Sequence, residues 1–205
     1  MITKKQLAIK LSKLKKIDNL KVKLEQYPTD SEIASEILWN AYLSNKIENK
    51  VIADLGCGNG IFAYGSLLLG AKKVFCMDLD QESLDIAKEN IENKKAVFLN
   101  IDIKEFNEEV DTVFQNPPFG TKVKHIDLIF LKKALQIADS VYTLHKSTTA
   151  DFIRKNINKF EIKEELTFNF PIKHSYKFHN KPVKQIRVTC FILDKKTQPL
   201  KNNQK

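Results

Sequence analysis

From residue 50 onward the chain alternates short apolar runs with helical stretches at a spacing that permits few folds. Segments 50–54 (KVIAD), 73–78 (KVFCMD), 96–101 (AVFLNI) and 110–115 (VDTVFQ) have the length and apolar density of buried strands. Between them lie a helical stretch near 60–70 and the amphipathic segment 80–93 (DQESLDIAKENIEN). Strands separated by helices are joined by crossovers rather than hairpins, so the pattern predicts a parallel, doubly wound sheet. A helix over 125–138, a strand over 140–144 and a helix near 147–158 continue the rhythm. Two long alternating segments, 160–169 and 184–193, then follow each other directly and predict an antiparallel hairpin at the C-terminal edge. Upstream, 5–16 has helical spacing, and Thr29 with Glu32 in TDSE forms a capping-box pattern opening a helix that runs to about Leu43. The expected architecture is α/β: a Rossmann-like, seven-stranded, mostly parallel sheet in a single domain. Its parts are a helical extension over 1–45, a core over 46–194 and a basic tail over 195–205.

Composition excludes several classes. Apolar residues make up 42% of the chain, and no apolar run approaches the roughly 18–20 residues of a membrane span. The N-terminus is charged throughout and lacks the apolar core of a secretory signal. Cys57, Cys76 and Cys190 are scattered without metal-ligand spacing, so no metal site is expected and an intracellular, cytoplasmic setting is. The charge is uneven. Residues 1–23 hold eight Lys and one Asp, 170–187 four Lys, one Arg and no acid, and 188–205 four Lys and one Asp. Against a total of +9, the body over 24–169 is left at −6. The basic ends therefore either meet a polyanion or serve as solubilising surface.

The first strand runs into ADLGCGNG. Glycines at that point let a ligand approach the backbone at the start of the next helix. Their spacing, Gly56-x-Gly58-x-Gly60, departs from the dinucleotide pattern, and Asp54 places a negative charge where a pyrophosphate would be repelled. S-adenosylmethionine, with an ammonium and a sulfonium and no phosphate, suits the loop better. Asp78 ends the second strand, where a carboxylate can accept from both ribose hydroxyls; Asp80 competes but reads as a helix N-cap. Asp102 is either an acceptor for the adenine amino group or a solvated strand-end residue, with Ile101 or Ile103 covering the ring.

The fourth strand stops abruptly at NPPF. Pro117 and Pro118 can sit in neither sheet nor helix, so they set a stiff turn at the carboxyl end of a central strand, where ligands bind in such sheets. A carbonyl in that turn and the Asn116 amide oxygen can accept the two N–H bonds of an exocyclic amine. An amine held this way is drawn toward pyramidal nitrogen with its lone pair aimed at a methyl donor, and positioning supplies most of the acceleration. Phe119 is placed to stack on a base. Catalytic function is thus assigned to Asn116, Pro117, Pro118 and Phe119.

These segments resemble the amino-methylating branch of class I S-adenosylmethionine-dependent methyltransferases. LEQYPT (24–29), ADLGCGNG (53–60), NPPFGTK (116–122), LHKS (144–147) and SYKFH (175–179) together are similar to the methyltransferase-like protein five family and its archaeal relatives. The resemblance implies N6 methylation of an adenosine in small-subunit ribosomal RNA. It implies cofactor contacts from Gln26, Thr29, Gly56, Asn59 and Ile61, from Asp78 at the ribose and from Asp102 with Ile103 at the adenine. It also implies a small zinc-binding methyltransferase activator as partner, paired with the apolar third strand, which would be the sheet edge. In PIKHSYKFHNKP, Lys173, Tyr176, Lys177, Phe178, His179 and Lys181 mix cations with aromatics in a way that suits RNA, as does Lys146 beyond the fifth strand. Two other readings stand beside this one: glutamine N5 methylation of a release factor, and a non-catalytic S-adenosylmethionine- and RNA-binding assembly factor.

Overall fold

A computed structural model describes residues 2–21, 24–120, 125–172 and 184–196. Seven strands form one sheet: β1 (Val51–Leu55), β2 (Lys73–Met77), β3 (Ala96–Leu99), β4 (Val110–Gln115), β5 (Ala138–Lys146), β6 (Phe160–Ile172) and β7 (Lys184–Lys195). Their spatial order is 3-2-1-4-5-7-6, with β7 alone running against its neighbours on both sides. The parallel body and antiparallel C-terminal hairpin are those expected. The order reverses between β1 and β4, whose carboxyl ends therefore border a crevice.

Helices α1 (Lys4–Ser12), α2 (Ser31–Leu43), α3 (Ile61–Leu68) and α4 (Gln81–Asn90) supply one core layer with Ile52, Phe114 and Tyr142 from the sheet. Helix α5 (Ile126–Ile137) and α6 (Ala150–Lys155) cover the other face, where Ala53, Val113 and Val141 point. The two faces alternate along each strand, as the pleat requires. Phe114 is fully buried and stacks between Phe62 at 5.6 Å and Tyr142 at 5.0 Å. The strand that ends in the proline turn is thus fixed two residues before it begins.

Three local expectations change. The helix at Ser31 is capped by Asp30, whose carboxylate accepts from the Glu32 N–H, and not by a Thr29–Glu32 box. The capping box lies instead at Thr3 and Gln6, opening α1, which ends at Ser12 rather than near 16. Third strand β3 is shorter than expected, four residues, and all four are half-buried at the sheet edge.

Phe114→Ala should lower stability by about 3–5 kcal/mol, because it opens a void between two rings in a layer that cannot collapse around it. Urea denaturation should show a lower midpoint with an unchanged slope.

Candidate active site

The loop after β1 holds three left-handed glycines, Gly56 at φ +69°, Gly58 at +53° and Gly60 at +81°. Such turns expose backbone N–H groups on one side. The Gly58 N–H donates to Asp78 Oδ2 at 2.9 Å, tying the loop to the end of β2. A Cβ on Gly56 would lie 3.1 Å from the Phe130 ring, so α5 closes over the loop. Gly60, expected among the cofactor contacts, is not on the cleft wall. A Cβ there would meet Ile91 Cδ1 at 2.8 Å, so this glycine serves the packing of α3 against the end of α4.

Helix α3 has no side-chain cap of its own. Asp54, 1% exposed, substitutes from the strand by accepting from the Ala63 N–H at 3.0 Å. Burial outweighs that bond and pushes the Asp54 carboxyl up to about 7. Burial likewise raises Asp78 despite N–H bonds from Asp80 and Gly58. Asp80 behaves oppositely: burial pushes it up, but hydrogen bonds from Lys21, Gln26 and Ser83 prevail and hold it below the usual carboxylate range. It occupies the N-cap position of α4 yet makes no capping bond; its carboxylate anchors Lys21 and Gln26 instead.

Cleft walls come from four directions and enclose about 260 Å³. The glycine loop and Asp54 form the floor with Asp78; Asp102 and Ile103 follow β3; Asn116 and Pro118 follow β4; Gln26 and Thr29 come from the N-terminal segment. Asn59 and Ile61 also line it. Asn59 turns its carboxamide away to donate to the Lys15 carbonyl at 3.1 Å. Asp102 accepts from the Lys104 N–H at 2.9 Å, and Ile103, not Ile101, reaches the wall. Sequence reasoning missed Ile17, Leu20 and Tyr27 from the N-terminal segment, and Ile126, Ile129 and Phe130 from α5. Only the apolar spacing of α5 hinted at the last three, and it does not distinguish a cleft from a core.

At the proline turn, the Asn116 amide nitrogen donates to the Tyr27 carbonyl at 3.0 Å and to Thr29 Oγ1 at 3.1 Å. A carbonyl only accepts, so the nitrogen must face Tyr27 and the oxygen must face away. That oxygen, Asn116 Oδ1, is buried and has no hydrogen-bond donor among the described residues. Pro117 is buried behind the wall, and Phe119 is 8% exposed. The Phe119 ring stacks on Tyr27 at 5.9 Å and meets the edge of Phe170 at 6.3 Å, so Tyr27 holds the place that the sequence assigned to a base. Lys146 Nζ lies 5.6 Å over the Phe119 ring, beside the turn. Lys173, Tyr176, Lys177, Phe178, His179 and Lys181 lie outside the described residues. Among the described residues no His, Cys, Asp and Glu grouping could hold a metal ion, and no helix is long and apolar enough to cross a membrane.

The family model for ribosomal protein L11 methyltransferase (PrmA) matches residues 34–117, from α2 through the first proline of the turn. A structure from Pyrococcus horikoshii, described as that of a proposed RNA methyltransferase, superposes with a TM-score of 0.88 at 45% identity, covering 95% of this chain and 98% of that one. An uncharacterized protein of Methanocaldococcus jannaschii is 40% identical over 95% of both chains. The rRNA N(6)-adenosine-methyltransferase METTL5 of Danio rerio is 37% identical over 90% of this chain and 95% of its own length. Likeness of that extent makes this chain a member of the METTL5 family of rRNA N(6)-adenosine-methyltransferases.

Proposed function

We propose that the chain transfers a methyl group from S-adenosylmethionine to N6 of an adenosine in small-subunit ribosomal RNA. The buried, donor-free Asn116 Oδ1 carries this reading. An unsatisfied buried acceptor costs about 1–3 kcal/mol, a cost that is relieved when a donor enters the cleft. The exocyclic amine of adenine is such a donor. By accepting one N–H, Asn116 orients the nitrogen lone pair without taking its proton, which leaves for solvent after transfer. Pro117 and Pro118 hold the acceptor rigidly, and Phe119 receives the base once the Tyr27 ring yields its place. The relatives named as rRNA N(6)-adenosine-methyltransferases support the same chemistry.

The cleft fits the donor. When bound, S-adenosylmethionine supplies an electrophilic methyl on a sulfonium. Asp54, Asp78 and Asp102 line the wall and favour a cation over a phosphate. Each Asp78 oxygen accepts one backbone N–H and retains capacity for a ribose hydroxyl. Asp102 and Ile103 take the adenine, with Gln26, Thr29, Gly56, Gly58, Asn59 and Ile61 completing the pocket.

Lys146 contacts the RNA together with Lys173, Tyr176, Lys177, Phe178, His179 and Lys181, whose mix of cations and aromatics suits phosphates and unpaired bases. A small zinc-binding activator pairs with β3, whose open edge and half-buried Val97 and Phe98 suit strand addition. The three free, buried cysteines accord with a cytoplasmic setting.

Labelled methyl transfer to small-subunit rRNA, to a release factor and to ribosomal protein L11 tests the reading: incorporation into rRNA as N6-methyladenosine is expected, and incorporation only into protein would overturn it. Asn116→Ala should lower kcat by about 10²–10³ while donor affinity stays within a few-fold. Because Asp54 sits near 7 in the free protein, a cation bound beside it favours its ionised form. Donor binding then releases a proton below neutrality, and affinity should climb with pH by up to about tenfold per unit between pH 5.5 and 7. Asp54→Asn should flatten that slope; calorimetry in buffers of different ionisation enthalpy reads it.

A further inference from the structure

Behind the proline turn, on the α5 face of the sheet, lies a row of buried polar side chains that the proposed reaction leaves unused. Gln115 on β4 and Thr143 on β5 are cross-strand partners, and His145 follows two residues along β5. Gln115 and Thr143 are fully buried and His145 is 1% exposed. The Gln115 Nε2 donates to Thr143 Oγ1 at 2.8 Å, and Thr143 Oγ1 lies 2.8 Å from His145 Nε2. On the far side His145 Nδ1 is 3.9 Å from Asp127 Oδ2 in the first turn of α5.

Hydrogen accounting gives the row a direction. Thr143 accepts from Gln115, and of the two polarities open to its contact with His145 the favoured one has the hydroxyl donating to Nε2, with the imidazole proton on Nδ1. The reverse polarity would aim a bare Nδ1 lone pair at the Asp127 carboxylate. Burial lowers His145 to about 3, so the ring is neutral and an N–H rather than a charge faces Asp127. At 3.9 Å that contact is too long for a hydrogen bond, and among the described residues both His145 Nδ1 and Gln115 Oε1 are buried without partners.

Position gives the row its consequence. Gln115 directly precedes Asn116, and neighbouring side chains on a strand point to opposite faces. Tyr27 and Thr29 hold Asn116 from one side; Thr143, itself bonded to His145, holds Gln115 from the other. Asp127 belongs to the turn of α5 that carries Ile126, Ile129 and Phe130 to the cleft wall. The residue before the helix, His125, adopts φ +64° and gives it no side-chain cap, so the start of α5 is held by backbone bonds such as that from the Ile129 N–H to the His125 carbonyl at 3.2 Å.

We propose that His145 and Asp127 are positioning residues for methyl transfer: closing of the α5 start over a filled cleft brings Asp127 onto His145, and through Thr143 and Gln115 this sets the end of β4 that presents Asn116. The proposal rests on the amine-accepting role given to Asn116 above.

Two measurements test it. In steady-state methylation of rRNA by the full chain, His145→Leu should lower kcat by about tenfold with KM for donor and RNA unchanged within twofold. Asp127→Asn should lower kcat less, and His145→Gln, which keeps a polar group beside Thr143, should recover most of the loss. Gln115→Leu combined with His145→Leu should cost no more than the larger single effect. In the free protein, hydrogen exchange in the peptide spanning 114–120 should speed up in His145→Leu and that spanning 51–58 should not. Should wild-type protein fail to methylate rRNA, the proposed function falls while the exchange result still decides the linkage. Unchanged kcat in both His145→Leu and Asp127→Asn, a parallel rise in KM, or faster exchange throughout the chain would each overturn the positioning role.

Discussion

The carboxamide of Asn116 joins the N-terminal segment to the end of β4, beside the stack of Tyr27 on Phe119. Its nitrogen bonds to Tyr27 and Thr29, and that pairing exists because Thr29 is not consumed as a helix cap. Asp30 caps α2 instead, freeing the Thr29 hydroxyl to accept. The same N-terminal segment reaches the opposite bank, where Lys21 and Gln26 grip Asp80 at the start of α4. One short segment thus spans the crevice from the end of β4 to the start of α4. Its own apolar residues, Ile17 and Leu20 among them, complete the wall that the sheet leaves open.

Carboxylates around the crevice fall into two states, and the difference is whether a cation already answers them. Asp80 has Lys21 and is held in its ionised form. Among the described residues Asp54 and Asp78 are answered by backbone N–H donors and by no cation, and burial raises both. A backbone N–H stabilises a carboxylate less than a full charge does at the same distance. The floor of the cleft therefore retains an unmet preference for positive charge, in a body whose sequence is net negative and whose ends are basic. The ammonium and sulfonium of the donor meet that preference, whereas a dinucleotide phosphate would oppose it.

Much of this was legible in the sequence because it depends on period and punctuation. Apolar runs of strand length, separated by helices, leave a parallel sheet as the economical arrangement, and the two consecutive long strands at the end gave away the hairpin. The proline turn and the glycine loop were legible because few residue types satisfy their backbone demands. What was hidden depends on three-dimensional competition for the same atom. Thr29 and Asp30 can each cap α2, and only the presence of Asn116 decides between them. Gly60 reads as a ligand-facing glycine, but α4 packs where its Cβ would go. Phe119 reads as an exposed stacking platform, and the ring that covers it, Tyr27, is 92 residues away in sequence. The walls from α5 were hidden for a related reason: residues facing a cleft and residues facing a core share one helical period.

The extent of the L11 methyltransferase match sharpens where acceptor choice resides. That match begins in α2 and ends at Pro117, so it holds the glycine loop, Asp78, Asp102 and Asn116. In the function proposed above, these residues serve the donor and the amine. Tyr27 and Thr29 lie before it, and Phe119, Lys146 and the β6–β7 hairpin lie after it. Acceptor choice by a planar base requires a surface to stack on and a fixed angle of approach, and both come from these flanking parts. The hydrogen bonds from Asn116 to Tyr27 and Thr29 cross the boundary between the two. They orient the acceptor by means of a segment outside the matched residues that also brings Gln26 and Thr29 to the cleft wall, so a change in that segment bears on the amide and on the cleft together.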